Sequence, residues 1–399
     1  MTMTKKIALI FIFVLGILVR TKAQNPVCLN AYQNINKDSL ILSLEELVGR
    51  KFVVIDGVQT KIQSRYAFHA DNALAAKYIT NKCAAWGYAI RNMNFGSSGQ
   101  NVIAEKRGTQ FPNKAIMLCA HYDCVGGKFT QSQGADDNAS GVAALLEAAR
   151  VLKDIDFPYS IQFAFWDEEE IGLLGSKAFP SWGGGLPELL TVINLDMIAW
   201  DGNNDSLAMA HVTPSLSKSI EFADRLYYLI GKYKLPLRLL IKNPGESNTD
   251  HQTFWNRDIP AIGLTEDYDN DFNPHWHLYS DSIENIHQNY FVSMSKLAII
   301  TLCEFSHEGL TSLEKTKTNK AFQVFPNPTN NKITLTGPNL KDDIVLKLSD
   351  LTGQEFLLQT LYKGDVIEIN LPNYISPGVY FLSIFGSNQQ TLPIKILVE

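Results

Sequence analysis

Apolar and polar positions follow two different rhythms along residues 38–306. Stretches with apolar residues three or four apart predict amphipathic helices, and short, mostly apolar runs between turn residues predict buried strands. Strands that alternate with helices of this length predict an α/β fold, with a mixed, mostly parallel central sheet flanked by helices. The helical stretches are 70–87, 141–155, 215–233 and 284–305, and the strand-like runs are 88–95, 101–108, 114–123, 160–166, 190–198 and 260–266.

The pattern changes near the C-terminus. Residues 311–320 are polar and without periodicity, which predicts a linker. Residues 321–399 then alternate apolar and polar positions between turn signals, which predicts a small antiparallel β-sandwich. We therefore expect one large domain over 24–310 and a second, smaller one over 321–399.

The first 23 residues have the pattern of a secretory signal peptide. Lys5 and Lys6 precede an apolar run, and Thr21 and Ala23 supply small residues for a cleavage site before Gln24. The apolar run is shorter than the ~20 residues that cross a bilayer. We expect an exported mature chain without a stable transmembrane span.

Composition narrows the function further. The 399 residues are 45% hydrophobic and 19% charged, as in an ordinary globular protein, and the formal net charge is -6. Because no basic face stands out in the sequence, we expect no nucleic-acid partner. The chain has five cysteines, too few for a disulfide scaffold. The expected pair is Cys28 with Cys83, while Cys119 and Cys303 lie in apolar segments and are predicted to be buried thiols.

Polar residues follow the predicted strands at the ends where ligands bind in an α/β sheet. Each of them alone has an ordinary interpretation, because polar residues are common in turns and a single histidine is usually structural. Together they offer imidazole and carboxylate groups, which are the ligand types of zinc. The residues are His121, Asp123, Asp136, Asp167, Glu168, Glu169, Glu170, Asp196, His275 and His277.

Five motifs give a resemblance to a known family. HYD, GADDNASG, EEIGLLGS, NLDMI and the H-x-x-x-D of HLYSD occur in the order seen in secreted two-zinc aminopeptidases of the bacterial leucyl aminopeptidase type. The resemblance covers residues 100–306. It implies an enzyme that hydrolyses the N-terminal peptide bond of peptides with a free N-terminus, using two Zn²⁺ ions per chain.

The resemblance also implies a role for each matching residue. His121 and Asp196 would bind one zinc, Glu170 and His277 would bind the other, and Asp136 would bridge them. Glu169 would be the catalytic general base and later the acid. Asp123 would hold the imidazole of His121 in place.

The alignment with the motifs decides which of several neighbouring residues of the same type has the expected role. Only Glu169 and Glu170 align with the E-E-x-G-L-x-G-S motif, which leaves Glu168 without a role, and His277 rather than His275 precedes Asp281 by four residues. Asp137 and Asn138 are expected to shape the helix entry and the loop, not to bind metal. Asp250 and His251, in a segment DHQTF that is also similar to the family, are expected to be wall or structural residues.

Other functions are less consistent with the sequence. Glutaminyl cyclases resemble this fold but use a single zinc and lack the ADDN form of the bridging loop. Non-catalytic binding modules on the same fold lose metal ligands, and none is missing here. A serine hydrolase is disfavoured because the sequence contains no G-x-S-x-G. Asp267, Asp269 and Asp271 alternate as in a calcium loop, but Phe272 replaces its glycine, so a solvated acidic loop is expected.

The C-terminal region has its own resemblance. The FPNPT opening, a D-x-x-G turn and GVYFLSI are similar to the C-terminal sorting domain of the type IX secretion system, although the ending IKILVE departs from the usual basic one. This resemblance implies the type IX machinery as a partner. It also implies localisation outside the cell or on its surface.

Overall fold

A computed structural model of the chain describes residues 25–125, 133–179, 186–308, 322–337, 345–350, 355–356, 358–363, 366–372, 374–386, 389–390 and 394–399. The predicted signal peptide 1–23 and linker 311–320 lie outside these ranges. None of the helices in them is both long and apolar enough to cross a membrane.

An eight-stranded mixed sheet forms the centre of the larger domain. A separate hairpin, β1 (Val53–Ile55) and β2 (Val58–Thr60), precedes it. The central strands are β3 (Ala89–Phe95), β4 (Gly99–Lys106), β5 (Phe111–His121), β6 (Tyr159–Trp166), β7 (Glu188–Leu195), β8 (Leu207–His211), β9 (Arg238–Lys242) and β10 (Ala261–Thr265). Their order is β3-β4-β6-β5-β7-β10-β8-β9. The four central strands β6, β5, β7 and β10 run parallel, so their carboxyl ends share one edge.

Helices cover both faces of this sheet. They are α1 (Pro26–Gln33), α2 (Lys37–Leu47), α3 (Asn72–Ala85), α4 (Gly141–Leu152), α5 (Leu174–Ala178), α6 (Ser217–Tyr233), α7 (Asp250–Trp255) and α8 (Gln288–Glu308). Every residue of β6 is buried, and so is almost all of α4, as expected for apolar runs covered on both sides. The predicted fold class is confirmed.

The disulfide differs from the prediction. Cys28 on α1 is bonded to Cys303 on α8, with 5.8 Å between their Cα atoms, whereas Cys83 on α3 is a buried free thiol. The pairing Cys28–Cys83 and the free thiol at Cys303 were therefore wrong. The reason is tertiary, because α1 packs against α8 across 275 residues of sequence. Cys119 is a buried thiol as predicted.

The C-terminal residues form two antiparallel sheets, as the alternating pattern predicts. One contains β11 (Gln323–Phe325), β12 (Lys332–Thr336), β16 (Val366–Asn370) and β15 (Gln359–Lys363). The other contains β14 (Glu355–Phe356), β13 (Val345–Asp350) and β17 (Gly378–Gly386), with β18 (Gln389–Gln390) and β19 (Ile394–Val398) paired to β17. Inward-facing aliphatic residues of both sheets make a separate core, including Ile333, Leu335, Ile367, Leu382 and Ile396.

Candidate metal centre

His121 ends strand β5 and is almost fully buried. Its ring Nδ1 lies 3.1 Å from the backbone oxygen of Asp123, and a proton on Nδ1 makes this a hydrogen bond. In the neutral imidazole, this tautomer leaves Nε2 free of a proton and able to bind a metal. Nε2 faces two carboxylates, Oδ1 of Asp137 at 3.3 Å and Oδ1 of Asp196 at 3.5 Å.

The turn between Gly134 and α4 decides which of two adjacent aspartates enters the site. Gly134 has φ +49°, and the carboxylate of Asp281 accepts hydrogen bonds from the backbone N–H groups of Asp136 and Asp137. The Asn138 side chain donates to the Leu195 carbonyl, so it holds the loop as predicted.

Asp136 faces away from the histidines. Its Oδ1 accepts a hydrogen bond from the backbone N–H of Ala199, and its Oδ2 accepts one from the side chain of Asn273. The prediction that Asp136 bridges two metals is therefore wrong. The backbone of the turn sends successive side chains in different directions, and only Asp137 reaches the centre.

Asp137 lies between the two predicted metal-binding histidines. Its Oδ1 is 3.3 Å from Nε2 of His121, and its Oδ2 is 3.3 Å from Nε2 of His277. Each oxygen of one carboxylate thus faces a different imidazole. The expectation that Asp137 only shapes the helix entry does not hold.

The three consecutive glutamates point to different surroundings. Glu168 lies near Ser98, whose hydroxyl donates to its Oε1. One oxygen of Glu169 lies within 4.8 Å of a donor atom of His121 and of one of Asp196. Oε2 of Glu170 lies 2.9 Å from Nε2 of His277. The geometry is consistent with the register expected from the motif.

Asp123 contacts both His121 and the segment with Glu169 and Glu170. Its Oδ1 is 3.6 Å from Nδ1 of His121, so the nearer partner of that imidazole is the Asp123 backbone oxygen. Its carboxylate accepts hydrogen bonds from the backbone N–H groups of Glu169 and Glu170. Asp123 therefore also orients the glutamate pair, a role that the spacing did not reveal.

His277 comes from the loop after β10 and is about one-third exposed. The Trp276 ring stacks on its imidazole with 3.8 Å between ring centroids. His275 lies apart from the cluster, with Nδ1 2.9 Å from the Ser280 hydroxyl. The structure thus brings His277, and not His275, to the other side chains of the centre.

Burial and mutual repulsion shift the pKa values of these groups. Burial raises the pKa of Glu170 to about 7, with the charge of Asp137 adding to the shift. Burial also raises the pKa of Glu169 well above its usual range, against the attraction of His121. Burial disfavours a charged His277, but hydrogen bonds to Asp137 and Glu170 outweigh it and raise its pKa to about 10. Protons on these groups compete with a cation for the same atoms.

The donor set fits a pair of Zn²⁺ ions. Three carboxylates (Asp137, Glu170, Asp196) and two imidazoles (His121, His277) are the oxygen and nitrogen ligands that zinc accepts. Zinc bonds of 2.0–2.1 Å in a tetrahedral site place neighbouring donor atoms about 3.3 Å apart. The donor pairs here are separated by 2.9–3.5 Å. Carboxylates packed this closely in a buried site also need a compensating charge.

Other residues considered from the sequence lie outside the cluster. Asp250 is fully buried at the start of α7, and burial raises the pKa of its carboxyl to about 7. The aspartates of the acidic loop have separate partners: Asp267 caps its own turn, Asp269 pairs with Lys242, and Asp271 accepts from the Trp200 indole. Each of these three carboxylates therefore has a partner within the protein, and Asp267 is buried rather than solvated as expected.

Solved structures share this fold. The Legionella pneumophila LapA aminopeptidase is 22% identical with a TM-score of 0.60, over 71% of this chain and 75% of that one. The Porphyromonas gingivalis glutaminyl cyclase is 20% identical with a TM-score of 0.54, over 68% of this chain and 98% of that one. At these identities the similarity shows the fold and does not separate the two activities.

Curated relatives match at modest identity. Leupeptin-inactivating enzyme 1 of Streptomyces exfoliatus is 29% identical over 47% of this chain, and Aminopeptidase YwaD of Bacillus subtilis is 25% identical over 71% of it. The chain spans only 41% and 58% of the lengths of these two relatives.

Two family matches divide the chain. The secretion system C-terminal sorting domain matches residues 323–399, which confirms the predicted sorting domain and indicates export, to the medium or the cell surface. Peptidase family M28 matches residues 101–301, just over half of the chain, and this region contains every side chain of the candidate metal centre. The chain belongs to peptidase family M28.

Proposed function

We propose that this chain is an exported aminopeptidase that uses two Zn²⁺ ions to hydrolyse the N-terminal peptide bond of peptides. One observation carries the proposal: the two oxygens of Asp137 face two different imidazoles, each with a further carboxylate beside it. A carboxylate in this position suits a bridge between two cations.

Each cation would have its own set of ligands. His121 and Asp196 would hold one ion, Glu170 and His277 would hold the other, and Asp137 would contact both. Two metal ions in such a site lower the pKa of a bound water and polarise a carbonyl group. Asp123 and Asp281 would keep the ligands in place through backbone N–H groups of the two ligand-bearing loops.

Glu169 would move the proton. One of its carboxylate oxygens lies within 4.8 Å of donor atoms of His121 and Asp196. Burial raises the pKa of this carboxyl above its usual range, and its place beside two proposed ligands suits a group that accepts a proton and returns it. Glu169 would take a proton from the attacking water and pass it to the leaving amine.

Glutaminyl cyclisation is the alternative, supported by the shared fold with the Porphyromonas gingivalis cyclase. The second imidazole, and the Asp137 carboxylate that faces both imidazoles, favour two metal ions. Glutaminyl cyclases, by contrast, use a single zinc. This difference makes the aminopeptidase the better-supported function.

A substrate panel tests the proposal. The mature protein is given a series of aminoacyl-chromogenic substrates, the N-acetylated form of the best one, and a peptide with N-terminal glutamine. We expect hydrolysis of free aminoacyl substrates that a chelator abolishes and zinc restores, with no hydrolysis of the acetylated form. Cyclisation of the glutaminyl peptide without aminoacyl hydrolysis would replace the proposal by its alternative, and chelator-resistant hydrolysis would exclude both.

A further inference from the structure

A buried arginine lies outside the part of the chain that matches the peptidase family. Arg65 precedes the matched residues 101–301, and its exposed fraction is 0%. Arginine is rarely buried completely unless its charge is paired. Here every hydrogen bond that the described residues give its guanidinium ends on a backbone carbonyl.

These carbonyls belong to the loops that carry the metal ligands. The Arg65 Nε donates to the carbonyl of Tyr122 at 2.8 Å, and Tyr122 lies between His121 and Asp123. Nη1 donates to Gln133 at 2.8 Å and Nη2 to Gly134 at 2.7 Å, directly before the turn with Asp137. One planar group thus connects the segment of His121 to the segment of Asp137.

The same guanidinium is fixed from outside the site. Nη1 also donates to the Leu47 carbonyl at 3.1 Å, at the end of α2, where a cation is favoured by the helix dipole. The Arg65 backbone oxygen accepts a hydrogen bond from Asn72, whose side chain also donates to Asp167 before the three glutamates. Arg65 is therefore held on both sides while it holds the loops.

The turn leaves space for this contact. A Cβ atom at Gly134 would lie 2.9 Å from the Arg65 Nη2 and 2.5 Å from the Asp137 backbone oxygen, and φ there is +49°. Asp281 and Asp123 hold the N–H groups of the two ligand-bearing loops. Arg65 donates instead to carbonyls of the His121 segment and of the Asp137 loop, and only arginine offers enough donors in one plane.

We propose that Arg65 is a positioning residue of the metal centre, which sets the distance between the His121 and Asp137 segments and thereby the affinity for zinc. This inference rests on the proposed function, because it assumes that the centre binds metal. It predicts that part of the metal site is built by the segment before the family-matched region.

Zinc affinity of the full mature chain tests the proposal. Arg65→Met keeps the unbranched apolar stem of the side chain and removes every donor, and Arg65→Lys keeps the charge and some of the donors. The control is Arg225→Met, which removes another buried arginine, one that packs over the Phe305 ring between α6 and α8. Each metal-free protein is titrated with Zn²⁺ against a chelating dye, well below its melting temperature, after circular dichroism has established that it is folded.

We expect Arg65→Met to raise the zinc Kd by about 10–100-fold, the usual effect of losing a group that orients metal ligands, and Arg65→Lys to raise it less. Arg225→Met should lower the melting temperature but keep the wild-type Kd. An unchanged Kd in Arg65→Met, or an equal rise in Arg225→Met, would overturn the inference. If Arg65→Met does not fold, Arg65→Lys decides by a raised or an unchanged Kd. Failure of the wild type to bind zinc would instead refute the proposed function.

Discussion

Replacing each of the three consecutive glutamates by glutamine should give three different enzymes. Glu168 accepts a hydrogen bond from Ser98 at 3.2 Å, which a glutamine oxygen also accepts, and no ligand of the centre is among its hydrogen-bond partners. Glu169 lies beside His121 and Asp196 as the proposed acid and base. Glu170 is the proposed ligand nearest His277.

The expected magnitudes follow from these positions. Glu169→Gln should lower kcat by about 10²–10⁴-fold, the usual contribution of a positioned acid or base, which corresponds to about 3–5 kcal/mol of activation free energy. It should keep two metals per chain. Glu170→Gln removes a negative charge 2.9 Å from Nε2 of His277, so we expect loss of metal and of activity together. Glu168→Gln should keep kcat within about twofold of wild type, because the amide oxygen keeps the hydrogen bond from Ser98 and no proposed metal ligand is changed.

The assay is metal content by elemental analysis beside kcat on the best aminoacyl substrate, with Glu168→Gln as the matched control. Loss of metal in Glu169→Gln would show that Glu169 is a ligand, not the proton carrier. A dead Glu168→Gln variant would shift the register by one residue. Three mild and similar variants would refute the catalytic interpretation of the segment.

Three further predictions concern the turn with Asp136 and Asp137, the disulfide, and the buried His251. Asp137→Asn should lose metal, whereas Asp136→Asn should keep it. Asp136→Asn should lower the free energy of unfolding by about 1–3 kcal/mol, because an amide cannot accept the hydrogen bonds from Ala199 and Asn273 at both of its ends. Metal analysis and urea unfolding check both variants, and the reverse pattern would contradict the turn geometry. Replacing Cys28 and Cys303 by serine should destabilise the chain towards the upper end of about 2–5 kcal/mol, because the disulfide closes a loop of 275 residues; an unchanged urea midpoint would contradict this. Burial lowers the pKa of His251 from 6.5 to about 4. Below pH 6.5 the unfolded chain therefore binds a proton that the folded chain does not, and stability falls by on the order of 3 kcal/mol as the pH drops to about 4. Urea unfolding between pH 7 and 4 should show a smaller loss of stability in His251→Asn, and equal losses would refute the assignment.

The sequence predicts the architecture and most of the convergence at the sheet edge. Buried strands such as β6 are unbroken apolar runs, and the residues after parallel strands must meet at one edge. That rule brings His121, Glu170 and Asp196 together without knowledge of any distance. His277 could be chosen over His275 only from the H-x-x-x-D spacing. The Asp281 of that motif accepts hydrogen bonds from the backbone of the turn with Asp136 and Asp137.

The choice between Asp136 and Asp137 could not be made in the same way. Both are buried carboxylates in one turn, and the direction of each is set by backbone angles that depend on Gly134, Asp281 and Asn273 together. The sequence indicates only that two adjacent aspartates, if both are buried, must have different partners.

Contacts between distant segments were also beyond the sequence pattern. Cys28 pairs with Cys303 because α1 packs against α8, which no local periodicity encodes. Arg65 lies outside every helix and strand predicted from the sequence. Its role depends on carbonyl groups of Leu47, Tyr122, Gln133 and Gly134.

The number of zinc ions bound per folded chain distinguishes a two-metal centre from a single-zinc site. The metal-stripped wild type is titrated with Zn²⁺ in a calorimeter, and the stoichiometry is checked by elemental analysis after removal of free metal. We expect two ions per chain for the wild type and one or none for Asp137→Asn, because the two oxygens of Asp137 face both halves of the centre. A wild type that saturates with one zinc would contradict the two-metal site and favour the single-zinc cyclase.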